Sequence, residues 1–269
     1  MCFRKGFNHS YIFERARGEM DITSDYGSLV RGSNPRGRAI QKSLQSVDEE
    51  CFAGFFFCFC ESFMKKQFNL NLYLVTDAPE KCRLGLLETV EAAVAGGVTI
   101  VQYRSVNPDA GTCYAEAKPL AEFLRARGVP FIVNNRVDLA LALDADGVHV
   151  GQRDLPVPAV RRLIGQDKIL GFSVSNQSEL EAADIKLIDY LGIGPVFPTI
   201  SKSDASPALG TESFAALVAR TPLPVVAIGG IDADRARNLR AVNAGVGIAV
   251  VSAICGAEDP LAAARALCE

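Results

Sequence analysis

Two consecutive apolar segments near the middle of the chain end on side chains that can bind a ligand. The first, 131–133, is followed by the carboxamides Asn134 and Asn135, and the second, 147–150, is followed by the carboxylate of Asp154. Segments of this kind are typical of parallel strands, whose carboxyl ends form ligand sites in α/β proteins. A divalent metal favours oxygen ligands and substrate phosphates, so Asp154 is a candidate metal ligand. A salt bridge is an equally good interpretation of Asp154 alone.

Other apolar segments between residues 70 and 255 end in a similar way. Their end residues, which are polar or small except for Val251, are Thr76 and Asp77, Gln102 and Arg104, Ser173 and Ser175, Thr199, Ser201 and Lys202, Gly229 and Gly230, and Val251 and Ser252. Because one edge of a parallel sheet or barrel gathers these ends, the sequence predicts one shared polar site.

Two sets of these residues have the chemistry of anion sites. The glycines at 229–230 and Ser252 follow the last two segments, where backbone N–H groups and a helix N-terminus commonly bind phosphate. The segment 199–202 offers two hydroxyls and an ammonium, and with Arg104 it predicts a second site for a larger anion. A tight turn at 229–230 and a flexible surface loop at 199–202 are the alternatives. A phosphate site beside a metal-assisted anion site favours a protein that joins two phosphorylated small molecules.

The elements that must position these residues alternate between strands and helices. Apolar, β-branched runs predict strands at Leu72–Thr76, Thr99–Arg104, Phe131–Asn134, Gly147–Val150, Ile169–Val174, Tyr190–Val196, Val225–Gly229 and Gly247–Val251. The segments between and after them predict helices at Leu86–Ala95, Thr112–Arg127, Val137–Leu143, Val157–Ile164, Ser178–Ala183, Thr211–Ala219, Asp234–Val242 and Pro260–Leu267. This order predicts an α/β fold, the (β/α)8 TIM barrel, whose strands are buried on both faces. A doubly wound open sheet is disfavoured, because no Gly-x-Gly-x-x-Gly follows the first strand.

The composition excludes several classes of function. Apolar residues make up 49% of the 269-residue chain and the net charge is −3, so we predict no nucleic-acid partner. No apolar run is long enough for a membrane span. The eight cysteines lack metal or disulfide spacing, which predicts unpaired thiols in a cytoplasmic protein. Small molecules are the expected partners, and the oligomeric state, a homo-oligomer included, is left open.

The first 63 residues differ from the remainder. They are polar for the most part, lack helical or strand periodicity, and contain an apolar decade, CFAGFFFCFC, that is too short to span a bilayer. Met64 immediately precedes the first clear strand. We therefore predict a disordered or mistakenly included extension at 1–63 and a single barrel domain at 64–269.

The chain closely resembles the thiamine-phosphate synthase family in seven motifs, which in chain order are LYLVTD, QYR, NNRVDLALALDADGVHVGQRD, GFSVS, GPVFPTISK, AIGGI and AVVSAI. The resemblance covers residues 70–267, essentially the whole predicted barrel. Its combination of motifs is specific, although AIGGI alone recurs in many barrels. It implies a Mg²⁺-dependent transferase that condenses hydroxymethylpyrimidine diphosphate with hydroxyethylthiazole phosphate and releases diphosphate.

The resemblance also implies a role for each motif residue. Gln102 would bind the pyrimidine, Ser173 would stand near the reacting centre, and Asp154 with Asn135 would bind Mg²⁺. The diphosphate would be bound by Arg104, Asn134, Thr199, Ser201 and Lys202, and the thiazole phosphate by Gly230, Val251 and Ser252. The implied catalytic residues are Ser173, Arg104 and Lys202.

Two positions depart from the family pattern. The family usually has an aspartate where this chain has Asn135, and a lysine where it has Val106. The metal site thus lacks one anion and the diphosphate site lacks one cation, although an asparagine oxygen can still bind Mg²⁺. We expect a working enzyme with weakened magnesium affinity.

Two other functions compete with the synthase. A related barrel could act as a thiazole tautomerase, but such relatives use a histidine near the end of strand 5, where this chain has Ser175 and Asn176. The chain could also be a non-catalytic protein that binds a thiamine precursor. Retention of Gln102, Arg104 and the 199–202 segment favours the synthase.

Overall fold

The described part of the chain comprises residues 68–199, 201, 206–242 and 245–269 of a computed structural model, with the backbone alone at Val242. The N-terminal segment at 1–63 and Lys202 lie outside these residues. The division into an extension and a barrel domain at 63/64 therefore stays a prediction, as does the role of Lys202.

Within the described residues, eight parallel strands close into a barrel in the order β1 to β8, with β8 paired to β1. They are β1 Leu72–Val75, β2 Ile100–Tyr103, β3 Phe131–Asn134, β4 Gly147–Val150, β5 Ile169–Val174, β6 Tyr190–Ile193, β7 Val225–Ile228 and β8 Gly247–Val250. The (β/α)8 prediction is confirmed. The predicted sixth strand is too long. The observed β6 ends at Ile193, shortly before Pro195, which has no N–H for the strand ladder.

Helices alternate with these strands. They are α1 Leu86–Ala95, α2 Ala110–Arg127, α3 Val137–Ala142, α4 Val157–Ile164, α5 Gln177–Ala182, α6 Gly210–Val218, α7 Ala233–Val242, α8 Ser252–Cys255 and α9 Pro260–Cys268. The sequence pattern predicts only a small-residue turn where α8 lies, because a four-residue helix is too short to show periodicity. None of the helices in the described ranges is long and apolar enough to cross a membrane.

Buried side chains form two layers. The inner layer fills the barrel and includes Tyr73, Ile100, Ile132, Ile169 and Tyr190. The outer layer brings together buried residues of the strands and of the surrounding helices. Strand side chains alternate between the two faces, so the near-continuous apolar strands supply both layers. Tyr73 and Tyr190 bring hydroxyl groups into this inner layer.

A buried ion pair lies at the edge of the barrel where the strands begin. Arg161 of α4 and Asp189, which precedes β6, lie 2.8 Å apart, and their side chains are 3% and 9% exposed. The same carboxylate accepts a hydrogen bond from the Leu170 N–H at 2.8 Å. The guanidinium also donates to the carbonyl oxygens of Gly165, Lys168 and Leu187. This cluster joins α4 to the starts of β5 and β6 and is expected to stabilise the fold.

Candidate active site

A cavity of about 1000 Å³ opens at the carboxyl ends of the strands. All eight strands, or the loops that follow them, contribute residues to its wall. Ligand sites of (β/α)8 barrels lie at this edge, where the loops can vary without disturbing the barrel. The volume is at the upper end of the range of small-molecule sites, which leaves room for more than one small ligand.

The predicted site residues that the structure describes all line this cavity. They are Gln102, Arg104, Asn134, Asn135, Asp154, Ser173, Thr199, Ser201, Gly230, Val251 and Ser252. Their gathering follows from the parallel arrangement, because every strand delivers its carboxyl end to the same edge. Their individual roles stay predictions.

Arg104 follows β2 and is held from two directions. Its backbone N–H donates to Thr76 Oγ1 at 3.0 Å, and Thr76 is fully buried at the end of β1. Its guanidinium Nη1 donates to the carbonyl oxygen of Ser201 at 3.3 Å. The half-buried cation is thus fixed between the end of β2 and the loop after β6, where it can contact an anion in the cavity.

The chain turns sharply after β7, where Gly229 and Gly230 have φ values of 101° and 63°. A Cβ on Gly230 would lie 2.4 Å from the carbonyl oxygen of Pro198, so glycine is needed both for the turn and for this close approach. At the adjacent strand end, Val251 and Ser252 begin α8, whose first N–H groups have no acceptor within the helix. Backbone arrangements of this kind bind phosphate in many barrels.

The two predicted anion sites adjoin. Ser201, from the loop after β6, lies with its Oγ 3.4 Å from Ser252 Oγ at the start of α8. Arg104 reaches the same loop through the carbonyl oxygen of Ser201. Anionic groups bound at the two sites would therefore share one cavity.

Asp154 and Asn135 follow the neighbouring strands β4 and β3 and could hold a cation. One carboxylate oxygen of Asp154 accepts a hydrogen bond from the Gly151 N–H at 2.7 Å. Asn135 has a φ of 61°, a conformation that asparagine and aspartate adopt more readily than most residues. Among the described residues there is no group of three or more His, Cys, Asp or Glu side chains that could hold a metal. The donor set suits an ion held largely by substrate phosphates and water, as Mg²⁺ usually is.

The floor of the cavity is polar, and the buried side chains of His149 and Tyr73 in it are not among the predicted site residues. His149 of β4, Tyr73 of β1 and Gln102 of β2 all line it and are buried. Tyr190 of β6 lies beneath, with its ring centroid 5.4 Å from that of His149 and 5.9 Å from that of Tyr73. Together with Ser173, these side chains connect the interior of the barrel to the site.

Burial raises the pKa of Tyr73 and the pKa of Tyr190 well above the ordinary value for a phenol. Both side chains are removed from water, and the charged phenolate would lose its solvation there. The two hydroxyls therefore keep their hydrogens around neutral pH, so each has one hydrogen to donate.

A closed parallel barrel with a polar cavity at the carboxyl ends of its strands places the chain in the class of (β/α)8-barrel proteins with a small-molecule site. The family model described as thiamine monophosphate synthase matches residues 72–254. The chain belongs to this family, and the predicted resemblance is confirmed.

Named relatives agree with this assignment. Thiamine-phosphate synthase from Azorhizobium caulinodans is 48% identical over 204 residues, which is 76% of this chain and 96% of the relative. The synthase from Desulfitobacterium hafniense strain Y51 is 49% identical over 199 residues, 73% of this chain and 95% of the relative. The solved thiamine phosphate pyrophosphorylase from Pyrococcus furiosus is 38% identical with a TM-score of 0.66, covering 74% of this chain and 93% of its own. A 3-hexulose-6-phosphate synthase, 14% identical with a TM-score of 0.53 over 74% of this chain and 98% of its own, shares the fold alone.

Proposed function

We propose that the chain condenses hydroxymethylpyrimidine diphosphate with hydroxyethylthiazole phosphate to give thiamine phosphate and diphosphate. The supporting observation is that residues of both predicted anion sites line one cavity, with Ser201 Oγ and Ser252 Oγ 3.4 Å apart. Substrates whose phosphates occupied these two sites would be held with their reactive parts in the same cavity. The 48% identity to a thiamine-phosphate synthase supports the same reaction.

The proposed chemistry is positioning together with neutralisation of a leaving group. The methylene carbon–oxygen bond breaks with its electron pair passing to the diphosphate, and the thiazole nitrogen lone pair then bonds to the methylene carbon. Arg104 donates to the diphosphate oxygens as their negative charge grows. Gln102 orients the pyrimidine, and Ser173 stands beside the reacting carbon. No covalent bond to the protein is needed.

Mg²⁺ would be held by Asp154 and Asn135 together with the diphosphate, and it supplies further neutralisation of the leaving group when bound. The carboxylate of Asp154 and the carboxamide of Asn135, at the ends of β4 and β3, both line the cavity and support this proposal. Such a site depends on substrate oxygens for the remaining ligands.

Asn135→Asp is expected to lower the magnesium concentration for half-maximal activity about three- to tenfold, because a carboxylate attracts a hard cation more strongly than a neutral oxygen. The substitution should keep the backbone, since aspartate also tolerates the φ of 61°. Initial rate against magnesium concentration measures the effect. Val106→Lys is the comparison: its side chain is 81% exposed at the cavity, and a lysine there should chiefly tighten diphosphate binding. An unchanged magnesium requirement in Asn135→Asp would remove Asn135 from the metal site.

Gly230→Ala is expected to raise KM for the thiazole phosphate about tenfold or more, because the new Cβ would meet the Pro198 carbonyl oxygen at 2.4 Å and displace the loop. Gly210→Ala is a matched control. Gly210 has a similar φ of 73°, but a Cβ there meets no atom within 4 Å. Both variants place an alanine at a similar positive φ, and only the first should lose phosphate affinity. Equal KM values in the two variants would contradict a phosphate site at Gly230.

Calorimetric titration separates the synthase from the two competing functions. For a synthase, thiazole phosphate and magnesium diphosphate should each bind, and either should bind in the presence of the other. A thiazole tautomerase would bind thiazole phosphate and show no diphosphate site. A binding protein would bind without turnover when both substrates are supplied. Failure to bind either anion would refute the proposed function.

We also propose a cytoplasmic location. The described cysteines Cys82, Cys113, Cys255 and Cys268 are free thiols, a state that suits a reducing compartment.

A further inference from the structure

Hydrogen bonds run without interruption through the floor of the cavity. Gln102 Nε2 donates to Tyr73 Oη at 2.8 Å, and Tyr73 Oη lies 2.7 Å from Tyr190 Oη. Tyr190 Oη lies 2.9 Å from His149 Nδ1. His149 Nε2 in turn lies 2.8 Å from Ser173 Oγ. These hydrogen bonds form a relay of five side chains, Gln102, Tyr73, Tyr190, His149 and Ser173. The relay joins Gln102, proposed to bind the pyrimidine, to Ser173, proposed to stand at the reacting carbon.

A glycine in β5 makes room for the contact between His149 and Tyr190 at the centre of the relay. His149, Gly171 and Tyr190 are paired side by side across β4, β5 and β6. A Cβ on Gly171 would lie 2.4 Å from His149 Nδ1 and 2.4 Å from Tyr190 Oη. Only a residue without a side chain therefore lets the imidazole and the phenol meet over β5.

The amide of Gln102 sets the direction in which hydrogens are donated along the relay. Because Gln102 donates to Tyr73, the single hydroxyl hydrogen of Tyr73 can be donated onward to Tyr190, and Tyr190 can donate to His149 Nδ1. In the opposite direction Tyr73 would accept two hydrogen bonds, and its own hydrogen would find no acceptor among the described partners of its hydroxyl. A buried donor without an acceptor is unfavourable. In this direction of donation, a neutral imidazole at position 149 carries its hydrogen on Nε2.

We propose that His149 is a positioning residue: held as the Nε2–H tautomer, it donates to Ser173 Oγ and leaves the Ser173 hydroxyl hydrogen free to be donated to the bound pyrimidine diphosphate. Ser173 then serves as a donor to an anionic oxygen or a ring-nitrogen lone pair. The identity of that ligand rests on the proposed function. The direction of the relay is a property of the protein alone and can be measured without substrate.

The imidazole ¹⁵N chemical shifts report the tautomer directly. The chain has two histidines, His9 and His149, so histidine-selective ¹⁵N labelling gives two ring systems, and a His9→Gln variant leaves one. The expected spectrum at neutral pH is that of a ring protonated on Nε2 with Nδ1 accepting a hydrogen bond. A ring protonated on Nδ1, or on both nitrogens, would overturn the proposal.

Gln102→Glu should reverse the relay, because a carboxylate can only accept a hydrogen bond from Tyr73. Above about pH 9, where even a buried glutamate is ionised, His149 should change to the Nδ1–H tautomer while the wild type does not. The raised pKa values of both tyrosines keep them neutral in this range. Retention of the Nε2–H form in the folded variant would show that Gln102 does not set the direction.

Tyr190→Phe removes the donor to Nδ1 and should leave both tautomers populated. We expect kcat to fall about ten- to a hundredfold through misplacement of Ser173, with KM for the thiazole phosphate unchanged. Tyr103→Phe is the matched control, since Tyr103 is a buried strand tyrosine whose hydroxyl donates to Glu116, away from the relay. Equal kcat values in the two variants would refute the positioning role. A wild type that forms no thiamine phosphate would instead refute the proposed function and leave the tautomer result intact.

Discussion

Arg104→Ala should lower kcat/KM for the pyrimidine diphosphate about 30- to 1000-fold, which corresponds to about 2–4 kcal/mol of lost transition-state stabilisation. The guanidinium is held in place before any ligand binds, through Thr76 at its backbone and the Ser201 carbonyl at its Nη1. A preorganised cation loses little free energy on reorientation when charge develops on the leaving group. Thiazole phosphate binding, measured by calorimetry, should change little.

Arg136→Ala is the matched control for Arg104. Arg136 follows the neighbouring strand β3, but it pairs with the exposed Asp138 at 2.6 Å and does not line the cavity. Exposed pairs of this kind contribute about 0–1 kcal/mol, so activity should stay near that of the wild type. If Arg104→Ala kept full turnover but lost thiazole phosphate affinity, the assignment of the two anion sites would be reversed.

Arg161→Ala should lower the free energy of unfolding by about 3–5 kcal/mol, because it removes one member of a buried ion pair while the carboxylate of Asp189 stays buried. The variant also loses the donors to the carbonyl oxygens of Gly165, Lys168 and Leu187. Urea denaturation followed by circular dichroism measures the change. Protein that remains folded should retain its KM values, since Arg161 does not line the cavity.

Arg220→Ala supplies the comparison for Arg161. Arg220 and Glu181 lie 4.0 Å apart with side chains 54% and 66% exposed, so its loss should cost less than about 1 kcal/mol. If Arg161→Ala were no more destabilising than Arg220→Ala, the buried cluster around Arg161 and Asp189 would not stabilise the barrel.

The sequence predicts the barrel well because its signal is local. Each strand is a short apolar, β-branched run, and each is followed by a segment of helical character, so the order alone identifies parallel βα units. The errors have two different causes. The strand at Tyr190 ends early because of Pro195, and α8 is too short for a periodic pattern.

The cavity wall is predicted for the same reason, since polar residues after a strand are visible along the chain. The floor is different. His149 and Tyr190 are 41 positions apart and meet only because the closed barrel sets β4, β5 and β6 in register. Each looks like an ordinary strand residue by itself. A glycine inside a strand indicates a close approach, so Gly171 was the available signal, but the approaching side chains cannot be read from one strand.

The most direct test of the proposed function is the initial rate of thiamine phosphate formation by the purified full-length chain, supplied with hydroxymethylpyrimidine diphosphate, hydroxyethylthiazole phosphate and Mg²⁺. Arg104→Ala serves as the low-activity reference. We predict that thiamine phosphate and diphosphate appear in equal amounts, and that omission of either substrate abolishes both. Absence of thiamine phosphate at every magnesium concentration, from a folded protein that still binds both anions, would contradict the synthase function and favour a binding protein.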